Sequence, residues 1–85
     1  MQTIYLEASR YATAQDLHRG LARMLFLPAY YGLNADALND CLGERNAPLT
    51  VWVAEKGEGE VAECLRKVLR VFADNGATVK ELYQS

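Results

Sequence analysis

The order of strand-like and helix-like apolar patterns is the feature that most constrains how this 85-residue chain can fold. Three short segments rich in β-branched and aromatic residues alternate with segments whose apolar residues recur at helical spacing. The strand-like segments are residues 1–6, 48–54 and 78–83. Because strands joined by helical crossovers are usually parallel, the pattern predicts an α/β fold of order β-α-α-β-α-β. Helices would cover a three-stranded parallel sheet in a single domain spanning residues 1–85.

Each predicted helix has recognisable end signals. Thr13 and Asn34 are the expected N-caps of the first two helices. Pro28 ends the first helix and Gly43 closes the second. The third helix runs from about residue 60 to residue 74, between a glycine-containing linker and an Asn-Gly stop.

Composition and charge exclude several classes of function. The net charge of -2 and the pI of 5.3 argue against nucleic acid as a direct partner. The N-terminus lacks the basic lead and apolar run of a secretory signal, and no segment approaches the ~20 apolar residues of a membrane span. A cytoplasmic protein is therefore expected. Cys41 and Cys64 are too few for a disulfide framework, which favours two reduced, packed thiols and leaves a reactive or bridged pair as the alternative.

No catalytic, cofactor or metal signature is present. His18 is the sole histidine, and at the edge of an apolar stripe it is expected to be a packed, hydrogen-bonded side chain. The Gly57–Gly59 linker is acidic and lacks the Lys and Ser/Thr of a phosphate-binding loop. We therefore expect no enzyme, no cofactor and no metal site.

The second helix carries three acidic residues and no Lys or Arg. At about 100° per residue, Asp36, Asp40 and Glu44 fall within an arc of roughly 80°, opposite an apolar side. Asp36 lies near the helix N-terminus, where a carboxylate is favourable, and Glu44 lies at or just beyond the helix end. Asp40 has no such local reason, and its i,i+4 spacing from Asp36 is mildly unfavourable. A surface for a basic partner and a merely solvated acidic face both remain open at this point.

Two adjacent tyrosines precede this helix, just before a turn glycine. They are not both expected to fit a small core, so Tyr31 is predicted to pack inward and Tyr30 to be exposed. Exposed tyrosines are favoured at interfaces because they are rigid and carry a hydrogen-bonding tip.

The run PAYYGLNADALNDCL, residues 28–42, resembles the barstar family of intracellular inhibitors of barnase-type ribonucleases. Leu17-His18 in the first helix, Pro48-Leu49 and Val71-Phe72 extend the resemblance along most of the chain. The fold it implies, a three-stranded parallel sheet covered by helices, agrees with the order derived above.

The resemblance implies an inhibitor that blocks a basic active site with its second helix and the preceding loop. Asp40 would replace a substrate phosphate among Arg and His side chains, and Asp36 would pair with another cation. Tyr30 would stack on the catalytic histidine of the enzyme. The implied partner is a small basic extracellular ribonuclease or nuclease toxin in a 1:1 complex. A non-inhibitory adaptor or immunity protein that binds another basic protein through the same face is the alternative.

Further contacts are implied at the edges of this surface. Asn34 and the Gly32 backbone would hydrogen-bond to the enzyme from the loop. Asp74 matches another acid of the family that contacts the enzyme, although an i,i+4 ion pair with Arg70 explains it equally well. The chain departs from the family pattern inside the interface, because Asn39 replaces a tryptophan and Gly43 a threonine. The segment before the third helix is also shorter, so a small extra helix of the family is expected to be missing.

Overall fold

The computed structural model describes residues 2–45 and 48–82. Its elements follow the predicted order, with one short 3-10 helix, Ala8–Arg10, added after the first strand. The strands are β1 (Gln2–Glu7), β2 (Leu49–Glu55) and β3 (Thr78–Glu81). The helices are α1 (Ala14–Leu25), α2 (Ala35–Gly43) and α3 (Gly59–Asp74). The predicted α/β class and the order β-α-α-β-α-β are confirmed.

The three strands form one parallel sheet in the order β1-β2-β3. Ile4 lies beside Val51, which lies beside Val79 on the third strand. Side chains alternate along β1 and β2, so that one face of the sheet is buried beneath the helices. The core therefore lies between this face and the apolar stripes of all three helices. Its fully buried large side chains are Leu6, Leu17, Leu21, Leu25, Leu38, Val51, Val53, Leu65, Val68 and Phe72.

Helix α1 begins as predicted but ends earlier than predicted. Thr13 is its N-cap, because the Asp16 backbone N–H donates to the Thr13 Oγ1 over 3.1 Å. The helix ends at Leu25, where Phe26 adopts a left-handed conformation with φ of 54°. Pro28, the predicted stop, lies two residues beyond this cap, where it cannot continue the helix.

Helix α3 ends at the predicted Asn-Gly stop. Gly76 has a φ of 84°, and the Gly76 and Ala77 amides donate to the Ala73 and Phe72 carbonyls over 3.1 and 3.0 Å. This is the pairing of a Schellman motif, which satisfies the last carbonyls of the helix. Strand β3 is shorter than predicted, because it ends at Glu81; Tyr83 lies outside the described residues, as does Met1 at the start of the first predicted strand.

The connection between β2 and α3 is three residues long and contains no helix, as the shortened linker predicted. Gly57 in this connection has a φ of 70°. A Cβ there would lie 3.1 Å from both the Ala8 Cβ and the Val61 Cγ1, so the position favours glycine on both counts. In residues 2–45 and 48–82, no helix combines the length and apolar character needed to cross a membrane.

Candidate functional site

Helix α2 is amphipathic, as predicted. Asp36 and Asp40 are exposed, and so is Glu44, which is the C-cap residue just after the last helical position. Leu38, Cys41 and Leu42 are buried on the opposite side. The helix therefore presents its carboxylates to solvent from a rigid, well-packed base.

The three carboxylates have no counter-ion within the part of the chain that the structure describes. The ion pairs found there, Arg19–Asp16 and Arg66–Glu63, lie on α1 and α3. Arg45 is the basic residue nearest to the helix in sequence, and its guanidinium is directed elsewhere. It donates to the Leu25 carbonyl over 2.7 Å and to the Gln2 side-chain oxygen. Arg45 thus interacts with the C-terminal end of α1 and does not neutralise the acidic face.

The loop before α2 separates its two tyrosines as predicted. Tyr31 is 8% exposed and belongs to the core, whereas Tyr30 is 79% exposed. The left-handed residue of this loop is Leu33, with φ of 57°, and not the turn glycine Gly32. Gly32 is needed for another reason. A Cβ there would lie 3.3 Å from the Ala37 Cβ, so a larger residue would crowd the start of the helix.

Asn34 is the predicted N-cap, and both ends of its side-chain amide are used within the chain. Its Oδ1 accepts from the Ala37 backbone N–H over 2.8 Å, and its Nδ2 donates to the Gly32 carbonyl over 3.1 Å. One amide hydrogen remains for a partner. Asn34 therefore fixes the angle between the loop and the helix as well as facing solvent.

A hydrogen bond ties α2 to the end of α3. The Asn75 Nδ2 donates to the Asn39 Oδ1 and to the Val71 carbonyl, each over 2.8 Å. This bond brings the end of α3, with the exposed Asp74, next to the acidic helix. Asp74 forms no ion pair with Arg70 among the described residues. The linear pattern indicated no role for Asn75 beyond the helix stop.

Gly43 is exposed at the last position of α2, and a Cβ there would meet no atom within 4 Å. No packing reason for a glycine is present at this position. A side chain at this position would extend into open space.

His18 is packed and hydrogen-bonded, as predicted. It is 4% exposed, and its Nδ1 lies 2.6 Å from the Tyr31 hydroxyl while its Nε2 lies 3.3 Å from the Cys64 Sγ. Burial lowers the pKa of His18 below its ordinary value of 6.5, so the imidazole is neutral at neutral pH.

The two cysteines are both free thiols, so a bridged pair is not present. Burial raises the pKa of Cys41 and of Cys64, and a protonated thiol is a poor nucleophile. No cluster of three or more His, Cys, Asp or Glu side chains suited to a metal ion occurs in residues 2–45 and 48–82.

Together these features define a small α/β protein whose distinctive surface is an acidic helix with an exposed tyrosine loop beside it. The family model described as barstar (barnase inhibitor) matches residues 1–83. The chain belongs to the barstar family. Members of this family are inhibitors of barnase-type ribonucleases and not enzymes.

Proposed function

We propose that this protein inhibits a small basic ribonuclease by occupying its active site with α2 and the preceding loop. The observation that carries the proposal is the acidic face of α2, which is exposed and without a counter-ion in the described chain, in a member of the barstar family. The protein would act as a single domain of residues 1–85 in a 1:1 complex. An immunity protein against a nuclease toxin of the same chemistry is included in this proposal.

Asp40 would replace a substrate phosphate at the centre of the interface. A ribonuclease active site must hold anionic phosphates, so it is lined with cationic side chains. A carboxylate can accept charge-assisted hydrogen bonds from them in place of a phosphate oxygen. Asp40 suits this role because it lies in the middle of the exposed face of α2. Asp36, one turn earlier, would pair with a second cation.

The loop and the ends of the helices would supply the remaining contacts. Tyr30 would stack on the catalytic histidine of the enzyme, supported by its 79% exposure. Asn34 and the Gly32 backbone would donate and accept hydrogen bonds at the loop. Asp74 would extend the acidic surface from α3.

The middle of the helix departs from the family pattern. Asn39 and Gly43 stand where the family has a tryptophan and a threonine, and Asn39 is held by Asn75. This part of the interface would be flatter and more polar. We therefore infer that the side chains at the rim of the cognate enzyme's active site project further toward the inhibitor.

The protein would protect the cytoplasm from a nuclease destined for export or arriving from outside. It would bind neither nucleic acid nor membrane directly.

Titration of a barnase-type ribonuclease with this protein tests the proposal. Activity on an RNA substrate should fall linearly and reach zero at one equivalent of inhibitor. The matched control is Asp40→Ala, which should need a clearly higher concentration than wild type to reach the same inhibition. Binding without loss of activity would favour the adaptor alternative. An absence of binding would remove this class of enzyme as the partner.

A further inference from the structure

A buried chain of polar groups links α3 to the loop that carries Tyr30. The Cys64 Sγ lies 3.3 Å from the His18 Nε2, and the His18 Nδ1 lies 2.6 Å from the Tyr31 hydroxyl. The Tyr31 hydroxyl in turn lies 3.5 Å from the carbonyl of Asn34, the N-cap of α2. The contacts therefore run from the interior of the protein to the start of the acidic helix.

His18 and Tyr31 depend on each other for hydrogen bonding. They are 4% and 8% exposed, so water cannot readily replace either partner. No buried side-chain nitrogen or oxygen in the described residues lacks a hydrogen-bond partner. Removing one member of the pair would leave the other buried and unsatisfied, which costs more than the bond itself contributes.

The relative lengths of these contacts favour one placement of the hydrogens along this chain. Tyr31 has one hydroxyl hydrogen, and the 2.6 Å contact with the His18 Nδ1 is much shorter than the 3.5 Å contact with the Asn34 carbonyl. We therefore assign the Tyr31 hydrogen to the shorter contact, so that Tyr31 donates to Nδ1 and the neutral imidazole carries its hydrogen on Nε2. Nε2–H then donates to the Cys64 sulfur, whose own hydrogen faces the Ala14 carbonyl at 4.0 Å.

The loop needs this anchor because its own backbone is strained. Leu33 has a φ of 57°, which is unfavourable for a side chain of that size. Such a conformation persists only when the surrounding contacts fix it. The contacts that fix it are the buried Tyr31 on one side and the Asn34 cap on the other.

We propose that His18 is a positioning residue for partner binding, which acts through the Tyr31 hydroxyl to fix the loop bearing Tyr30 and Asn34. This inference rests on the proposed function, because it assigns the loop to the interface. His18 touches no partner itself. Its contribution is to hold Tyr31 inward, which directs Tyr30 outward and keeps Asn34 in its cap.

Protonation of His18 would weaken this arrangement. A second hydrogen on the imidazole would occupy Nδ1, and Tyr31 could then donate only toward the distant Asn34 carbonyl. Burial already lowers the pKa of His18, so the change occurs only in acid. The titratable side chains that contact His18 or line the same open cleft are Tyr31, Asp36, Glu60, Glu63, Cys64 and Lys67.

Three variants separate positioning from general stability. Tyr31→Phe removes only the hydroxyl, and His18→Leu removes the acceptor. His18→Asn retains an acceptor near the place of Nδ1, so it should hold the Tyr31 hydroxyl and the loop much better than His18→Leu does. Tyr11→Phe, a hydroxyl deletion at a half-buried tyrosine outside the loop, is the matched control.

Amide hydrogen exchange on the free protein is the first measurement. Tyr31→Phe and His18→Leu should speed exchange at the Ala37 and Leu38 amides, which donate to Asn34, by on the order of tenfold relative to the Val51 amide in the sheet. Tyr11→Phe should not change this ratio. An equal change at all three amides, or no change, would overturn the proposal.

Dissociation from a barnase-type ribonuclease is the second measurement. At pH 7.5 the Tyr31→Phe complex should dissociate on the order of tenfold faster than wild type, with association nearly unchanged. Lowering the pH to 5.5 should speed dissociation of the wild-type complex more than that of the His18→Asn complex, because only wild type has an imidazole that can be protonated. Equal dissociation rates for wild type and Tyr31→Phe would overturn the inference. If wild type binds no ribonuclease, the proposed function fails, and hydrogen exchange alone decides whether His18 positions the loop.

Discussion

The three carboxylates of α2 differ in how favourably their charge interacts with the helix itself. Asp36 lies in the first turn, where the helix dipole favours a negative charge. Glu44 is the C-cap residue, at the end of the helix where negative charge is disfavoured but well solvated. Asp40 has neither position, and it lies i,i+4 from Asp36, which costs a few tenths of a kcal/mol. Local stability therefore does not account for Asp40.

Asp40→Ala should consequently lose much more binding affinity than Glu44→Ala. Asp40→Ala should weaken binding to a ribonuclease by more than 2 kcal/mol, because a central, desolvated charge is a hot spot. That magnitude is known from this inhibitor family and does not follow from the structure alone. Glu44→Ala should cost below about 1 kcal/mol, as rim charges do. Isothermal titration of both variants gives the comparison.

The same Asp40→Ala variant should fold at least as stably as wild type, because it removes repulsion and no internal contact in the described chain. Urea unfolding checks this point. Equal losses of affinity for the two variants would contradict the phosphate-mimic role. A large loss of stability in Asp40→Ala would show that its carboxylate has a structural partner.

Among the elements, α2 and α3 are joined at the surface by the Asn39–Asn75 hydrogen bond of 2.8 Å. This bond fixes how far Asp40 lies from Asp74, since each acid is adjacent in sequence to one of the asparagines. Two helices that carry parts of one interface must keep their spacing when the partner binds.

A double-mutant cycle should detect this bond. Asn39→Ala loses only the link between the helices, whereas Asn75→Ala also loses the bond to the Val71 carbonyl. Asn75→Ala should therefore be the more destabilising, and the coupling between the two changes should be about 0.5–1 kcal/mol. Urea unfolding of both single variants and the double variant measures it. Strictly additive effects would show that the bond contributes nothing.

The elements also show which parts of the structure the sequence could predict. Periodicity and capping residues were sufficient for the order of the elements, for the caps Thr13 and Asn34, and for the inward Tyr31, because these depend on neighbours in sequence. The end of α1 at Phe26 and the left-handed Leu33 were not predicted. Both conformations are unfavourable for a side chain locally; Leu33 lies in a loop that the distant His18 holds through Tyr31, which a linear pattern does not contain.

The same limit applied to the site. Its acidic arc follows from helical geometry, and the exposed Tyr30 follows from the limited room for two adjacent tyrosines in a small core. Arg45 was not predicted to face the end of α1, and Asn75 was not predicted to bond to Asn39, because these partners are 20 and 36 residues away. Residues that shape the site from a distance in sequence become visible only in the folded chain.

For the whole molecule, the buried His18 couples stability to pH. Its pKa is lowered in the folded state, so between that value and the ordinary 6.5 the unfolded chain binds more protons. The contribution of His18 to stability should be constant above about pH 7 and fall as the pH drops through 6.5. His18→Asn should abolish this part of the pH dependence. Melting temperatures of both proteins from pH 5.5 to 8.0 check the prediction, and parallel curves would contradict it.

The distribution of charge over the whole molecule should set the rate of complex formation. Residues 28–44 carry a formal charge of -3, whereas the chain as a whole carries -2, so the rest of the molecule is slightly positive. A local acidic patch orients the protein toward a basic active site during encounter. Salt shortens the range of this attraction, from about 30 Å at 0.01 M to about 10 Å at 0.1 M.

Association with a basic ribonuclease should accordingly slow by on the order of tenfold or more between 0.01 and 0.5 M salt, while dissociation changes little. The double variant Asp36→Asn, Glu44→Gln retains Asp40 but removes most of the charge that acts at a distance. It should associate more slowly at low salt and show a shallower salt dependence, and the two proteins should converge at high salt. Stopped-flow measurements over this range test the idea. A salt-independent association rate in wild type would mean that the acidic face contributes to the bound complex and not to the encounter.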